Sequence, residues 1–363
     1  MGAHFLQLPE EILLLVLSYL DGRALGRLGQ VCRKLRHFTC RDSVWRRIAR
    51  RCLNSGFVLQ GADVLMPWLQ LDGNVLYFTQ AEEIRAHQLH TNGGRLHKRP
   101  FAMFLGHQED VCRFVISDSH IISGGGDGKI ALHNLHSAAS IQFSAHEQDV
   151  NCVDCHGGII VSGSRDRTAR VWSLSSNTDG RWLHTIQTED RVWSVAINPV
   201  LSSFVTGTAC CHHTSPLRIW DLQSGQLMNC LGTEFKRGAG VLDVCYETPS
   251  ILLSCGYDTY IRCWDIRASL RRCVSEWEEP HDSALYCIQS DRNNMIASGS
   301  SYYGVVRLWD KRMNQCLQSF SLSSPTSSPV YCLRFNTSHL YAALATSLHR
   351  LDFTVSSHRF TAL

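Results

Sequence analysis

The chain lacks any long hydrophobic run. The longest, Ile12 to Leu20 in LPEEILLLVLSYLDG, is nine residues with Ser18 inside it, against the ~20 that a membrane-spanning helix requires. A basic lead-in is lacking too, because Glu10 and Glu11 stand before the run and no Lys or Arg precedes it. That is the wrong charge for a secretory leader. The expectation is an intracellular protein, cytoplasmic or nuclear, with no membrane partner.

A strong charge of one sign is also missing, since the formal net charge is +3. Ten of the 35 Lys+Arg and four of the 32 Asp+Glu fall in residues 1–55, so the basic excess is N-terminal, much of it in WRRIARR, Trp45 to Arg51. No aromatic interleaving and no groove-reading motif accompanies it, so a solvated helix face is expected and a nucleic-acid partner is not. The 16 cysteines are scattered through apolar, strand-like stretches, which suits reduced, buried thiols rather than a disulfide framework. Cys210-Cys211-His212-His213 is the one grouping that suggests a metal. Four adjacent residues do not converge on one tetrahedral ion, and zinc sites draw spaced ligand pairs from two segments. A polar loop is expected there, with no metal and no cofactor.

What the chain has is a repeat. Trp172, Trp220, Trp264 and Trp309 recur in ARVWSL, LRIWDL, IRCWDIR and VRLWDKR, at intervals of 48, 44 and 45 residues. Upstream lie turn segments such as SGSRDRTARVW and SCGYDTYIRCW, and before those GHQEDV, AHEQDV and PHDSAL. Short alternating apolar runs with Gly, Asp and Asn between them are the pattern of β-strands and tight turns.

One unit can be followed group by group. His146, Ser162, Asp166 and Trp172 stand at intervals of 16, 4 and 6, and His107, Ser123, Asp127 and His133 repeat the spacing. An Asp in a turn can accept from the His, and a Ser hydroxyl can accept from the indole N–H, which satisfies every buried polar group. Such a set in successive repeats suits a structural staple, not a single catalytic triad, and no enzyme is expected.

These units resemble the WD-repeat family, which implies four-stranded blades of a β-propeller. Seven units fit between residues 67 and 353, an average of about 41 residues against the family's roughly 40–45. The first unit, PWLQLDGNVLYFTQAEEIRAHQL, lacks both signature dipeptides, the second has HN where WD would stand, and the seventh has LD. The missing closing strand is expected from SGFVLQ (55–60) or SHRFTAL (357–363).

The apolar run reads as a helix with Pro9 in its first turn and Glu10 and Glu11 at its positive end. Two further short amphipathic stretches follow, through Leu35 and around Trp45. Three short helices cannot cover the first on every side, and an exposed apolar patch usually marks a partner site. The order LPEEI…LSYLD…L..L..VCRKLR…VWRRI resembles the F-box, which docks a substrate receptor onto the Skp adaptor of a cullin-based ubiquitin ligase. The resemblance implies adaptor contacts at Leu8, Pro9, Ile12, Leu13, Val16, Leu17, Leu20, Leu25, Leu28, Val31, Cys32, Leu35 and Trp45.

Together these readings give a mainly β chain: a small three-helix F-box module (1–55), a short linker (56–66) and a seven-bladed WD-repeat propeller (67–363). The family pattern implies a top face formed by Asn151, Arg165, Trp193, Tyr257, Tyr286, Tyr302 and Tyr331, with Cys112, Leu242 and Gly126 at the corresponding positions of other units. Only Arg165 is cationic among them, which argues for an aromatic-anchored peptide surface rather than a doubly phosphorylated one. The expected function is that of a non-catalytic substrate receptor of an SCF-type ubiquitin ligase. Its expected partners are the Skp adaptor, cullin and RING subunits through it, and a protein substrate. The alternative is a WD scaffold without a degradative role.

Overall fold

The computed structural model describes residues 68–90, 95–117, 119–137, 139–174, 181–211, 215–233, 235–268, 270–280, 283–301, 304–313, 315–322 and 328–353, together with Leu13, Val31 and Leu35. Seven antiparallel sheets follow one another along the chain, each a meander of consecutive strands. Six have four strands, and the seventh has three among the described residues. Both segments expected to supply its fourth strand lie outside them.

The innermost strands are Leu69–Asp72, Val111–Ser117, Val150–His156, Val192–Ile197, Val241–Thr248, Leu285–Ser290 and Cys332–Phe335. Each lies beside the next, and the last lies beside the first, so the blades close into a ring around a channel. The chain is therefore a seven-bladed β-propeller. The sequence accounts for the layering. Second strands such as IIVSGS bury five of six residues between neighbouring blades, whereas an outermost strand such as SIQFS alternates exposed and half-buried positions.

The inner edge of each blade would leave backbone groups unpaired, and those must find partners. Side chains from the neighbouring blade supply several of them. Gln70 Nε2 donates to Phe114 O, Asn151 Nδ2 to Val192 O, and Ser194 Oγ to Val241 O. Asp154 accepts from Ile197 N, Asp243 from Ile288 N and Gln289 from Phe335 N. At the seam between the last blade and the first, the Cys332 thiol donates to Leu69 O at 3.4 Å. A second repeated contact is steric. Gly124, Gly163 and Gly207 each lie against the valine that opens the inner strand of the following blade, Val150, Val192 and Val241, and Gly299 lies against Val330 just ahead of the last inner strand; a Cβ would collide at each.

The blade staples occupy blades 2 and 3. His146 bonds Asp166 through Nδ1 at 3.0 Å and Ser162 through Nε2 at 2.8 Å, and Trp172 Nε1 donates to Ser162 Oγ at 3.1 Å. Burial pushes the Asp166 carboxyl up, but hydrogen bonds from His146 and Thr168 outweigh it and hold the pKa well below the usual range. His107 meets Asp127 and Ser123 in the same way, at 3.0 and 2.9 Å. Among the described residues, blades 4 to 6 show the indole–hydroxyl bond: Trp220 to Thr206, Trp264 to Ser254 and Trp309 to Ser298.

Candidate functional site

The candidate site is the end of the propeller where the inner strands begin. Pairing with the second strand slips around Cys112, Trp193, Leu242 and Tyr286, and in blade 3 around Asn151. A β-bulge re-aims a side chain out of the sheet alternation. These are inner-strand positions that the repeat pattern assigns to the top face, so in blades 2 to 6 a bulge is the local device that presents them.

The tyrosines gather on one side. Tyr286 lies between Tyr257 and Tyr331, with ring centroids 6.4 and 5.6 Å apart and edge-on geometry. That arrangement suits the ring quadrupoles. Burial, with Tyr257 and Tyr331 adding, pushes the Tyr286 hydroxyl up to about 12. Tyr257 remains exposed, at 44%. Tyr302, expected beside them, lies outside the described residues.

The other side of the rim carries Trp193, Asn151 and Arg165. The Trp193 indole nitrogen is buried without a hydrogen-bond partner. Arg165 is exposed and pairs loosely with Asp149 at 3.4 Å, an arrangement worth little in water. Here the structure adds to the sequence reading. Arg165 does not stand alone, because Arg167 and Arg191 join it around a cleft of about 490 Å³, with Gln148, Asp166 and Gln187 completing the wall. Asp166 is already engaged by His146. Among the described residues neither Arg167 nor Arg191 has a carboxylate partner. The repeat pattern marks one residue per turn and so passes over Arg167, although RDR in SGSRDRTARVW sets two arginines on either side of the turn Asp.

Below the rim the channel is crossed by a buried ion pair, Arg113 to Asp243 at 2.5 Å. Burial works against the Arg113 charge, but Asp243 offsets it and holds the arginine above its ordinary pKa. The indole of Trp68 lies under the Arg113 guanidinium, 3.8 Å from its ring centroid. Sequence reasoning missed all three residues, because they come together only through ring closure.

Among the described residues no group of three His, Cys, Asp or Glu side chains could hold an ion, and His212 and His213 lie outside them. The described cysteines are free thiols.

Of the expected adaptor contacts, Leu13 and Leu35 are buried within the chain and Val31 is 70% exposed. Leu8, Pro9, Ile12, Val16, Leu17, Leu20, Leu25, Leu28, Cys32 and Trp45 lie outside the described residues. No helix among the described residues is long and apolar enough to cross a membrane.

Residues 5–51 match the F-box-like family model, and residues 139–173, 228–265 and 271–310 match the WD domain, G-beta repeat model. The chain belongs to the F-box/WD-repeat proteins. It is 60% identical to F-box/WD repeat-containing protein 4 of Homo sapiens, over 97% of this chain and 93% of the human protein. It is also 60% identical to F-box/WD repeat-containing protein 4 of Mus musculus, over 96% and 93%. F-box/WD repeat-containing protein 9 of Bos taurus is 25% identical over 93% of this chain and 62% of that protein. Among solved structures, the computationally designed Ika8 protein is 19% identical, with a TM-score of 0.61 over 81% of this chain and 98% of the design, a likeness of fold. F-box and WD repeats in one chain define a substrate adaptor, a typically non-catalytic role.

Proposed function

We propose that the chain is the substrate-recognition subunit of an SCF-type ubiquitin ligase. Its F-box docks the Skp adaptor, and through it the cullin and RING subunits. Its propeller holds a protein substrate for ubiquitination and proteasomal degradation. Chemistry then occurs on a bound conjugating enzyme, and this chain contributes proximity.

The observation that carries the substrate side is the two-part rim. Tyr257, Tyr286 and Tyr331 offer an aromatic anchor, and the Arg165–Arg167–Arg191 cleft offers cationic donors. Tyr, Trp and Arg are the residue types that dominate binding hot spots. The reading is a peptide with an apolar or aromatic anchor, followed by one acidic group, carboxylate or phosphate, for the cleft.

Two measurements test it. Co-expression with the Skp adaptor should give co-purification of the wild type and not of a Leu8→Ala/Pro9→Ala variant. Equal recovery of both would remove the docking role. An Arg165→Ala/Trp193→Ala variant should lose a subset of bound proteins, and those proteins should accumulate when the chain is depleted from cells. Partners that bind the rim without accumulating would favour the non-degradative scaffold.

A further inference from the structure

Beneath the Arg113–Asp243 pair the channel widens into a half-enclosed cavity of about 550 Å³, open at the far end of the propeller from the rim. The size is that of a small-molecule site. Every blade's inner strand contributes to its wall, among them Gln70, Val115, Asp154, Ala196, Cys245, Gln289 and Arg334.

The polar groups of this wall are unevenly matched. The acceptors are used. Asp243 takes hydrogen bonds from Arg113, Val244 N and Ile288 N. Asp154 takes them from Cys155 N and Ile197 N. Glu247 is paired with Lys311. Gln70 and Gln289 accept from Arg334 and from Phe335 N.

The donors are in surplus. The Trp68 indole nitrogen is buried without a partner, in a residue only 7% exposed. Arg334 donates Nε to Gln70 at 3.0 Å and one amino group to Leu333 O at 2.8 Å. Among the described residues it has no carboxylate partner. Its guanidinium lies 5.0 Å from the centroid of the Trp68 ring that Arg113 also covers. Two guanidinium groups and an unsatisfied indole N–H thus share one cavity. A buried donor without an acceptor is costly, and a guanidinium binds carboxylate and phosphate oxygens best.

We infer that the lower half of the channel is a binding site for a small molecule bearing an oxyanion group, carboxylate or phosphate, seated between Arg334 and the Trp68 indole N–H. The Arg113–Asp243 pair forms its roof and separates it from the rim, so the inference does not depend on the substrate reading.

The test uses the full purified chain and two probes, inorganic phosphate and succinate, titrated at constant ionic strength against chloride, with thermal unfolding followed. A saturable rise in midpoint is expected with at least one probe, and the one that acts names the oxyanion. Arg334→Gln should weaken the apparent affinity by about tenfold or more, the loss of a charge-assisted bond. Trp68→Phe keeps an aromatic face under the guanidiniums, removes only the N–H, and should weaken it several-fold. Arg165→Ala/Arg191→Ala, on the opposite rim, removes any anion held by the cleft there, and the saturable rise that depends on Arg334 and Trp68 should remain in that variant. The proposal fails if neither anion gives a saturable rise, or if the rim variant loses binding while the channel variants keep it. If Arg334→Gln does not fold, Trp68→Phe decides alone.

Discussion

Arg113 on the second blade donates to Asp243 on the fifth at 2.5 Å, across the channel and across 130 residues of sequence. Both side chains are almost wholly buried, at 9% and 6% exposure. Removing one partner of such a pair leaves a buried charge uncompensated, at a cost of about 3–5 kcal/mol. Arg113→Met should therefore destabilise strongly in chemical denaturation. Arg113→Met/Asp243→Asn should recover part of that loss, because no bare charge remains. Strictly additive costs would mean that the two groups do not act as a pair.

Gly163 allows a close approach between blades. A Cβ there would stand 2.7 Å from Cys152 Sγ and closer still to Val192. Overpacking of this kind costs about 1–3 kcal/mol, so Gly163→Ala should lower the unfolding midpoint. Val192→Ala in the same chain should restore part of it by making room. A Gly163→Ala protein as stable as wild type would show that the blades can slide apart without penalty.

His133 stands where later blades have tryptophan, and Phe104 packs against it at 5.6 Å. Burial, with His107 nearby, lowers its pKa from 6.5 to about 4. The unfolded chain therefore takes up the proton first. Stability is lost as the pH falls below about 6.5, and the His133 contribution is exhausted near 4. Buried His87 and His146 and half-buried His349 are shifted in the same direction, so the readout is a difference. His133→Trp should flatten the stability profile over that interval relative to wild type, measured by denaturation at a series of pH values. An unchanged slope would remove His133 from the acid response.

The parts of this molecule legible in the sequence are those with a local cause. Tryptophans about 45 residues apart, each with a Ser or Thr upstream, give the blade, and the hydroxyl does accept from the indole in blades 3 to 6. Cys112, Asn151, Trp193, Leu242 and Tyr286 were legible as positions because each follows the first residue of an inner strand, where a bulge recurs. Arg167 and Arg191 were harder to see. Neither occupies the repeat position; Arg167 shares the turn of Arg165, and the approach of blade 4 to blade 3 brings Arg191 to the same cleft.

The sequence alone determined the blade and its staples, because hydrogen-bond partners within a repeat lie some 10–20 residues apart and repeat with it. Tertiary structure decided what happens on the axis. Trp68, Arg113, Asp243 and Arg334 belong to four different blades, and nothing in their local sequence states that they meet. They converge because seven wedge-shaped sheets close into a ring, and closure sets residues hundreds of positions apart around one channel.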